Sequence, residues 1–245
     1  MSLPKIAIPM FEIMLPSTGK MINMRSMTTK DYKLLLVAKE SNNNEQMLIA
    51  VKQVLNNCIC DSKIKTDNLS WYDAEWLFVK LIVSSKADPL VNLSYKCKLN
   101  KEDGEKCNTN NKFSVNIDDI KINVTKSELL LKAKDESGED IIMKFVYPSF
   151  TDMEIFKKLS NKLEQMDFFN ELLVAVSVGD ELYIKGKDFG PQEAGVMIDA
   201  LSEEQMKEIL AFMEEMPALK LDHQFTCTGC GFNHTVILKG MKDFF

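Results

Sequence analysis

The sequence predicts an α+β fold: an N-terminal arm and small helical unit, a central antiparallel sheet, and C-terminal helices ending in a zinc-ribbon-like β-hairpin. Three observations carry this prediction. Apolar residues recur at helical intervals in residues 28–90 and again in 149–218, whereas between those stretches they alternate with polar ones. Pro89, Pro148 and Pro217 punctuate the chain where the pattern changes. Near the C-terminus, Cys227-Thr228-Gly229-Cys230-Gly231 separates two strand-like runs.

Taken in order, residues 1–27 are interrupted by Pro4, Pro9 and Pro16 and carry Ser17-Thr18-Gly19 ahead of Lys20, which predicts an extended arm. Thr28 and Asp31 stand as N-cap and third-residue acceptor of a first helix, with Leu34, Leu35 and Ala38 as its apolar face. After a turn at 41–44, a helix over 45–57 places Leu48, Val51, Leu55 and Cys58 on one stripe. A third helix from Ser70 buries Ala74, Leu77, Phe78 and Leu81 and stops at Asp88-Pro89.

In the middle, Phe113, Val115 and Ile117 alternate with polar residues, as do Ile120, Ile122 and Val124, and then Leu129, Leu131 and Ala133. Gly138 marks a hairpin turn before a strand over 141–147. Beyond Pro148, Thr151 and Glu154 form a capping box, Phe150 and Ile155 a staple, and Met153, Phe156, Leu159 and Leu163 one helix face. A second helix is expected over 167–178, followed by a long turn at Gly186, Gly190 and Pro191. The clearest helix start is Leu201-Ser202-Glu203-Glu204-Gln205-Met206, with an N-cap serine, first-turn acids and a reciprocal glutamine. Strands over 219–226 and 232–238 then bracket the cysteine turn. The expected organisation is an arm (1–27), a helical unit (28–90), an antiparallel sheet region (91–148), a helical region (149–218), and a zinc-knuckle hairpin with its tail (219–245).

Composition narrows the function. With 45% hydrophobic and 27% charged residues, the 245-residue chain is globular rather than fibrous or disordered. It has no run of about 18 apolar residues, and Pro4, Pro9 and Glu12 break the N-terminal stretch, which argues against a membrane span or signal peptide. A reducing cytoplasm is therefore the expected compartment, and six cysteines there read as metal ligands or buried packing rather than disulfides. The net charge of −6 is uneven, with +3 in residues 1–60, −1 in 61–150 and −8 in 151–245. An acidic C-terminal third disfavours nucleic acid and favours protein partners.

The strongest chemical signal is the Cys227/Cys230 turn, which presents two thiolates to one tetrahedral metal, zinc being the expected ion. Cys97 and Cys107 are the preferred completing pair, although nine residues separate them where zinc knuckles have about two to four. The rival set is local: His223, Cys227, Cys230 and His234. Cys58 and Cys60, at the end of a helix, read as packing residues. Ser17-Thr18-Gly19-Lys20 fails as a phosphate loop, since Met14 and Met21 occupy the positions needing Gly and Ser or Thr. With two histidines and no nucleophile motif, catalysis is poorly supported. The arm, through Leu15, Pro16 and Lys20, and the terminal Phe244-Phe245 are the candidate partner-binding residues. A zinc-ribbon nucleic-acid-binding or regulatory protein is the rival class, followed by a metal-dependent or thiol enzyme.

Several segments carry a family resemblance. Met14-Leu15-Pro16-Ser17-Thr18-Gly19-Lys20, Leu35 to Ser41 and Ala50 to Cys58 resemble the N-terminal half of the baseplate hub assembly proteins of T-even-type contractile phages. Met216-Pro217-Ala218-Leu219, Phe225 to Gly231 and Gly240 to Phe245 are similar to the end of longer members. The resemblance implies a non-enzymatic structural or assembly role beneath the tail tube. Its partners would be hub or other tail proteins of the same phage, met in the host cytoplasm during assembly or in the virion.

Overall fold

The structure is a computed structural model that describes residues 4, 6–85, 90–100, 104–156, 158–159 and 161–241. The N-terminal segment differs from the expected arm. β1 (Met10–Met14) and β2 (Met21–Arg25) form an antiparallel hairpin whose inward residues Ile13, Leu15, Ile22 and Met24 are buried. Its loop is pinned to the helix that follows later in the chain: Asp73 accepts hydrogen bonds from Ser17 N–H, at 2.9 Å, and from the Ser17 hydroxyl, while Trp76 Nε1 donates to the Met14 carbonyl at 3.1 Å. The alternation was hidden by methionines, which fill the outward positions 10, 14 and 21 and mask the period of two.

The three expected helices are present. In α1 (Thr29–Glu40), Asp31 accepts from Thr28 N–H at 2.9 Å. Asn43 caps α2 (Asn44–Cys58), accepting from the amides of Glu45 and Gln46. A short 3-10 turn, Thr66–Asn68, leads into α3 (Trp71–Ser85), which buries Ala74, Leu77, Phe78 and Leu81. The expected stop at Asp88-Pro89 lies outside the described residues. Helix α3 is the organising element. One side packs with α2, the N-terminal hairpin and the C-terminal strands, and its Tyr72 joins a second core. Fully burying a leucine such as Leu55 or Leu77 is worth about 1.5–3 kcal/mol relative to leaving it in water.

The middle region forms separate sheets rather than one. Among the described residues, β3 (Leu90–Lys96) pairs only with β4 (Asn110–Asn116). A 3-10 turn at Ile117–Asp119, capped by Asn116, then breaks the alternation and buries Ile117 and Ile120 in the first core. β5 (Lys121–Ile122) crosses to the C-terminal hairpin. β6 (Glu128–Lys134) and β7 (Asp140–Val146) form the expected hairpin and continue into a four-stranded antiparallel sheet with β8 (Leu173–Val178) and β9 (Glu181–Ile184).

Strand β8 corrects the second half of the helix expected over 167–178. Helical structure persists through α4 (Phe150–Phe156), α5 (Lys162–Asp167) and α6 (Phe169–Leu172), then ends where Val174, Val176 and Val178 take over. Alternate β-branched residues prefer extended backbone, and Gly179, at φ +55°, turns the chain into β9. The box that starts α4 is formed by Ser149 and Asp152, not Thr151 and Glu154; the Thr151 hydroxyl instead donates to Asp67. The expected long turn contains α7 (Pro191–Asp199), with proline at its permissive first turn. In α8 (Glu203–Glu214) the Ser202/Gln205 box forms as read. Helices α6, α7 and α8 cover one face of the four-stranded sheet around Phe145, Leu172 and Phe212. The chain closes with β10 (Leu219–Thr226) and β11 (Asn233–Lys239), an antiparallel hairpin extended by β5. Among the described residues, no helix is long and apolar enough to cross a membrane.

Candidate metal centre between two hairpins

The hairpin geometry removes the spacing objection to Cys97 and Cys107. The β3–β4 ladder runs past the strand ends: Cys97 N–H donates to the Thr109 carbonyl at 2.9 Å and Cys107 N–H to the Leu99 carbonyl at 2.8 Å. The two cysteines are thus the feet of one loop. In the C-terminal hairpin, Cys227 N–H donates to the Phe232 carbonyl at 2.8 Å and Gly231 N–H to the Cys227 carbonyl at 2.9 Å. Gly231 sits at φ +71°, a left-handed position that glycine occupies without steric cost.

The two loops meet face to face. The four sulfurs lie within 4.8 Å of one another, with Cys97 and Cys230 Sγ 3.8 Å apart and Cys107 and Cys227 Sγ 3.7 Å apart. Four thiolates about 2.3 Å from a single tetrahedral centre would stand about 3.8 Å from one another. The arrangement is therefore compatible with a metal site. Gly229 permits the approach: a Cβ there would fall 1.9 Å from Thr109 Oγ1 and 3.1 Å from Cys107 Sγ.

Hydrogen-bond partners surround the sulfurs. Asn111 Nδ2 and Gly229 N–H each donate to Cys227 Sγ at 3.4 Å, the Cys107 thiol donates to Thr109 Oγ1 at 3.2 Å, and His234 Nε2 lies 3.3 Å from Cys97 Sγ. Burial pushes the Cys227 thiol up, but the hydrogen bonds from Asn111 and from the Gly229 and Cys230 amides outweigh it and bring it down to about 6. At Cys97 the Leu99 amide favours the thiolate, yet burial and the three neighbouring thiols push it up to about 12. Thiols in contact cannot all ionise unless a cation shares their charge.

An aromatic seam joins the same two hairpins along their length. Phe113 stacks on His223 at 4.5 Å and on Phe225 at 4.9 Å between ring centroids, and Phe225 stacks on His234 at 5.2 Å with Tyr95 edge-on. Both histidines of the rival set are thus seam residues. His223 is stacked on Phe113, whereas His234 Nε2 lies 3.3 Å from Cys97 Sγ; among the described residues the cluster of metal-type side chains is Cys97, Cys107, Cys227 and Cys230.

The other candidates fare differently. Leu15 is 4% exposed and belongs to the first core, so its side chain supports the fold instead of offering a docking point. Pro16 is half-buried beside it, and Lys20 is exposed, 3.7 Å from Asp61. Phe244 and Phe245 lie outside the described residues. Cys58 is buried in the first core, where desolvation pushes its thiol up to about 11. Cys60, expected in packing, is exposed instead, its sulfur 3.9 Å from that of Met10.

Comparison with known proteins places this architecture. A family profile described as T4 bacteriophage base plate protein matches residues 8–245. The chain belongs to this family. It is also 23% identical, over 228 residues and 93% of each chain, to "Baseplate hub assembly protein gp26" of Enterobacteria phage T4. No solved structure matches it.

In this base plate protein, the residue that reading by motif missed is Asn111. It is buried, its amide nitrogen donates to Cys227 Sγ, and its carbonyl oxygen accepts from Thr228 N–H at 2.9 Å, so one side chain bridges the two hairpins. The available signal was an amide side chain four positions after a ligand-type cysteine, inside a strand whose partners were not yet known.

Proposed function

We propose that the chain is a non-enzymatic phage tail protein that takes part in assembling the central hub of the baseplate, as a structural subunit or an assembly chaperone, through contacts with other tail proteins. The observation that carries this reading is the end-to-end likeness to a baseplate hub assembly protein, joined to a family match over nearly the whole chain. Its setting would be the host cytoplasm during assembly or the tail of the virion.

The cysteine junction has a structural part in this reading. Cys97, Cys107, Cys227 and Cys230 would hold zinc, the ion suited to a tetrahedral four-thiolate set, in a zinc-ribbon-like pairing of two knuckles. Four protein ligands leave no open position for a substrate or activated water, which supports a structural rather than a catalytic ion. The bound ion would supply a cross-link between residues 97–107 and 227–230. Asn111 and the Gly229 amide, both donors to Cys227 Sγ, would orient that sulfur and spread its charge.

Co-expression with the hub proteins of the same phage tests the assembly role. A complex with at least one of them, of fixed stoichiometry through gel filtration, is the expected result; failure to bind any of them contradicts it.

A further inference from the structure

We infer that the groove between α1 and α2 is the docking site for an amphipathic, acid-flanked helix of another tail protein. This deepens the assembly reading, and rests on it, by naming the surface and the chemistry of its partner.

The first argument comes from α1 itself. Leu34-Leu35-Leu36-Val37-Ala38 is five consecutive apolar residues, and five positions at about 100° each run right round a helix. The fold covers only part of that circumference: Ala38 is buried, Leu34 and Leu35 pack partly against the first core, and Val37 remains 68% exposed. A helical turn that is apolar on every side is normally enclosed by neighbours. Across the groove, α2 turns Ile49, 59% exposed, toward the same side.

Shape gives the second argument. Two helices joined by the short turn at 41–43 leave an open groove of about 560 Å3, lined by Thr29 to Ala38 of α1 and Gln46 to Gln53 of α2. Its length, ten residues of α1, corresponds to about 15 Å or three helical turns. A third helix would complete a small bundle, presenting apolar residues at i, i+3 or i+4, and i+7 to Leu34, Val37 and Ile49.

Charge identifies the flank. Lys30 and Lys33 line the end of the groove nearest the start of α1, and among the described residues no carboxylate lines it. The one acid on that turn, Asp31, is buried and already holds Arg25 and Asn57. A docked helix with Glu or Asp beside its apolar face at this end would meet both lysines, whereas a basic helix would be repelled.

The test uses the full-length protein. Val37→Asp with Ile49→Asp changes two exposed side chains, so circular dichroism and melting temperature should match wild type. The complex with the co-expressed hub protein should weaken about thirtyfold or more, as expected for central apolar anchors. Lys30→Glu with Lys33→Glu should weaken it by a smaller factor and reduce its salt dependence. A photo-crosslinker at Val37 should join an acidic helical segment of the tail protein. Undiminished affinity in the Val37/Ile49 variant, or a crosslink to a second copy of this chain, overturns the inference.

If wild type binds no hub protein, the assembly reading falls, and the groove is judged by direct titration. The probe is a 14-residue helical peptide with leucine on one face and glutamate beside it, compared with its lysine-flanked counterpart. Protection of α1 and α2 amides from exchange by the glutamate peptide alone would support the groove. Absence of protection, or equal binding of both peptides, would overturn it.

Discussion

Two regions of this molecule solve the same problem by different means. Around α3, segments far apart in the chain, from Ile13 in the N-terminal hairpin to Leu238 in the last strand, are joined by burying aliphatic and aromatic side chains. At the other end of the β3–β4 and β10–β11 hairpins, Cys97, Cys107 and Asn111 meet Cys227, Gly229 and Cys230. The first kind of joint is non-directional and tolerates pH and salt. The second is directional and depends on the proton occupancy of its thiols.

The largest effect expected from perturbing the comparison lies in the apolar joint. Leu77→Ala, at a fully buried position of α3, should cost about 3–5 kcal/mol, read by urea unfolding followed both by fluorescence and by circular dichroism. A loss below about 1 kcal/mol would mean that α3 is not the organising helix.

Within that same region Asp31 is a directional exception. It is buried and accepts hydrogen bonds from Arg25, Thr28 and Asn57. Burial pushes its carboxyl up, but those bonds outweigh burial and hold it far below the ordinary carboxylate range. Because the folded value lies below the unfolded one, the contribution is complete above about pH 4 and is lost as pH falls toward the folded value. Asp31→Ala should cost about 2–3 kcal/mol at pH 7, less than a fully buried ion pair because Arg25 is partly exposed. The difference from wild type should shrink in acid; a penalty independent of pH would contradict the assignment.

Asn111→Ala should leave global stability within about 1–2 kcal/mol of wild type while weakening metal affinity about tenfold, measured by competition with a chromophoric chelator. Equal affinity would place Asn111 outside the site's support. The smallest effect belongs to a pair that neither region uses. Lys134→Ala removes the exposed contact with Asp140 and should leave the thermal melt superimposable on that of wild type.

The two regions also differed in how well the sequence disclosed them. Helices α1 to α3 and α8 were legible because caps and apolar spacing agree: Asn43, Ser202 and Gln205 do locally what their types suggest. The gathering of Cys97 and Cys107 with Cys227 and Cys230 was legible as one of two candidate sets, the other using His223 and His234, because closely spaced thiols are characteristic metal ligands. Pairing between strands was not legible, since it is non-local. Nothing near Lys121 states that its two-residue strand belongs beside Lys220, and nothing near Leu173 states that a helical-looking run continues a sheet begun at Glu128. The N-terminal hairpin was missed because prolines and outward methionines disguised its alternation, and with it went the burial of Leu15.

The central claim is that the cysteine joint is closed by an ion rather than by packing alone. Native mass spectrometry of freshly purified, reduced protein tests it most directly. The account predicts one zinc per chain with four thiol protons displaced, and loss of that zinc in the Cys227→Ser, Cys230→Ser double variant. A folded, metal-free chain whose Cys97, Cys107, Cys227 and Cys230 all carry their protons would contradict it.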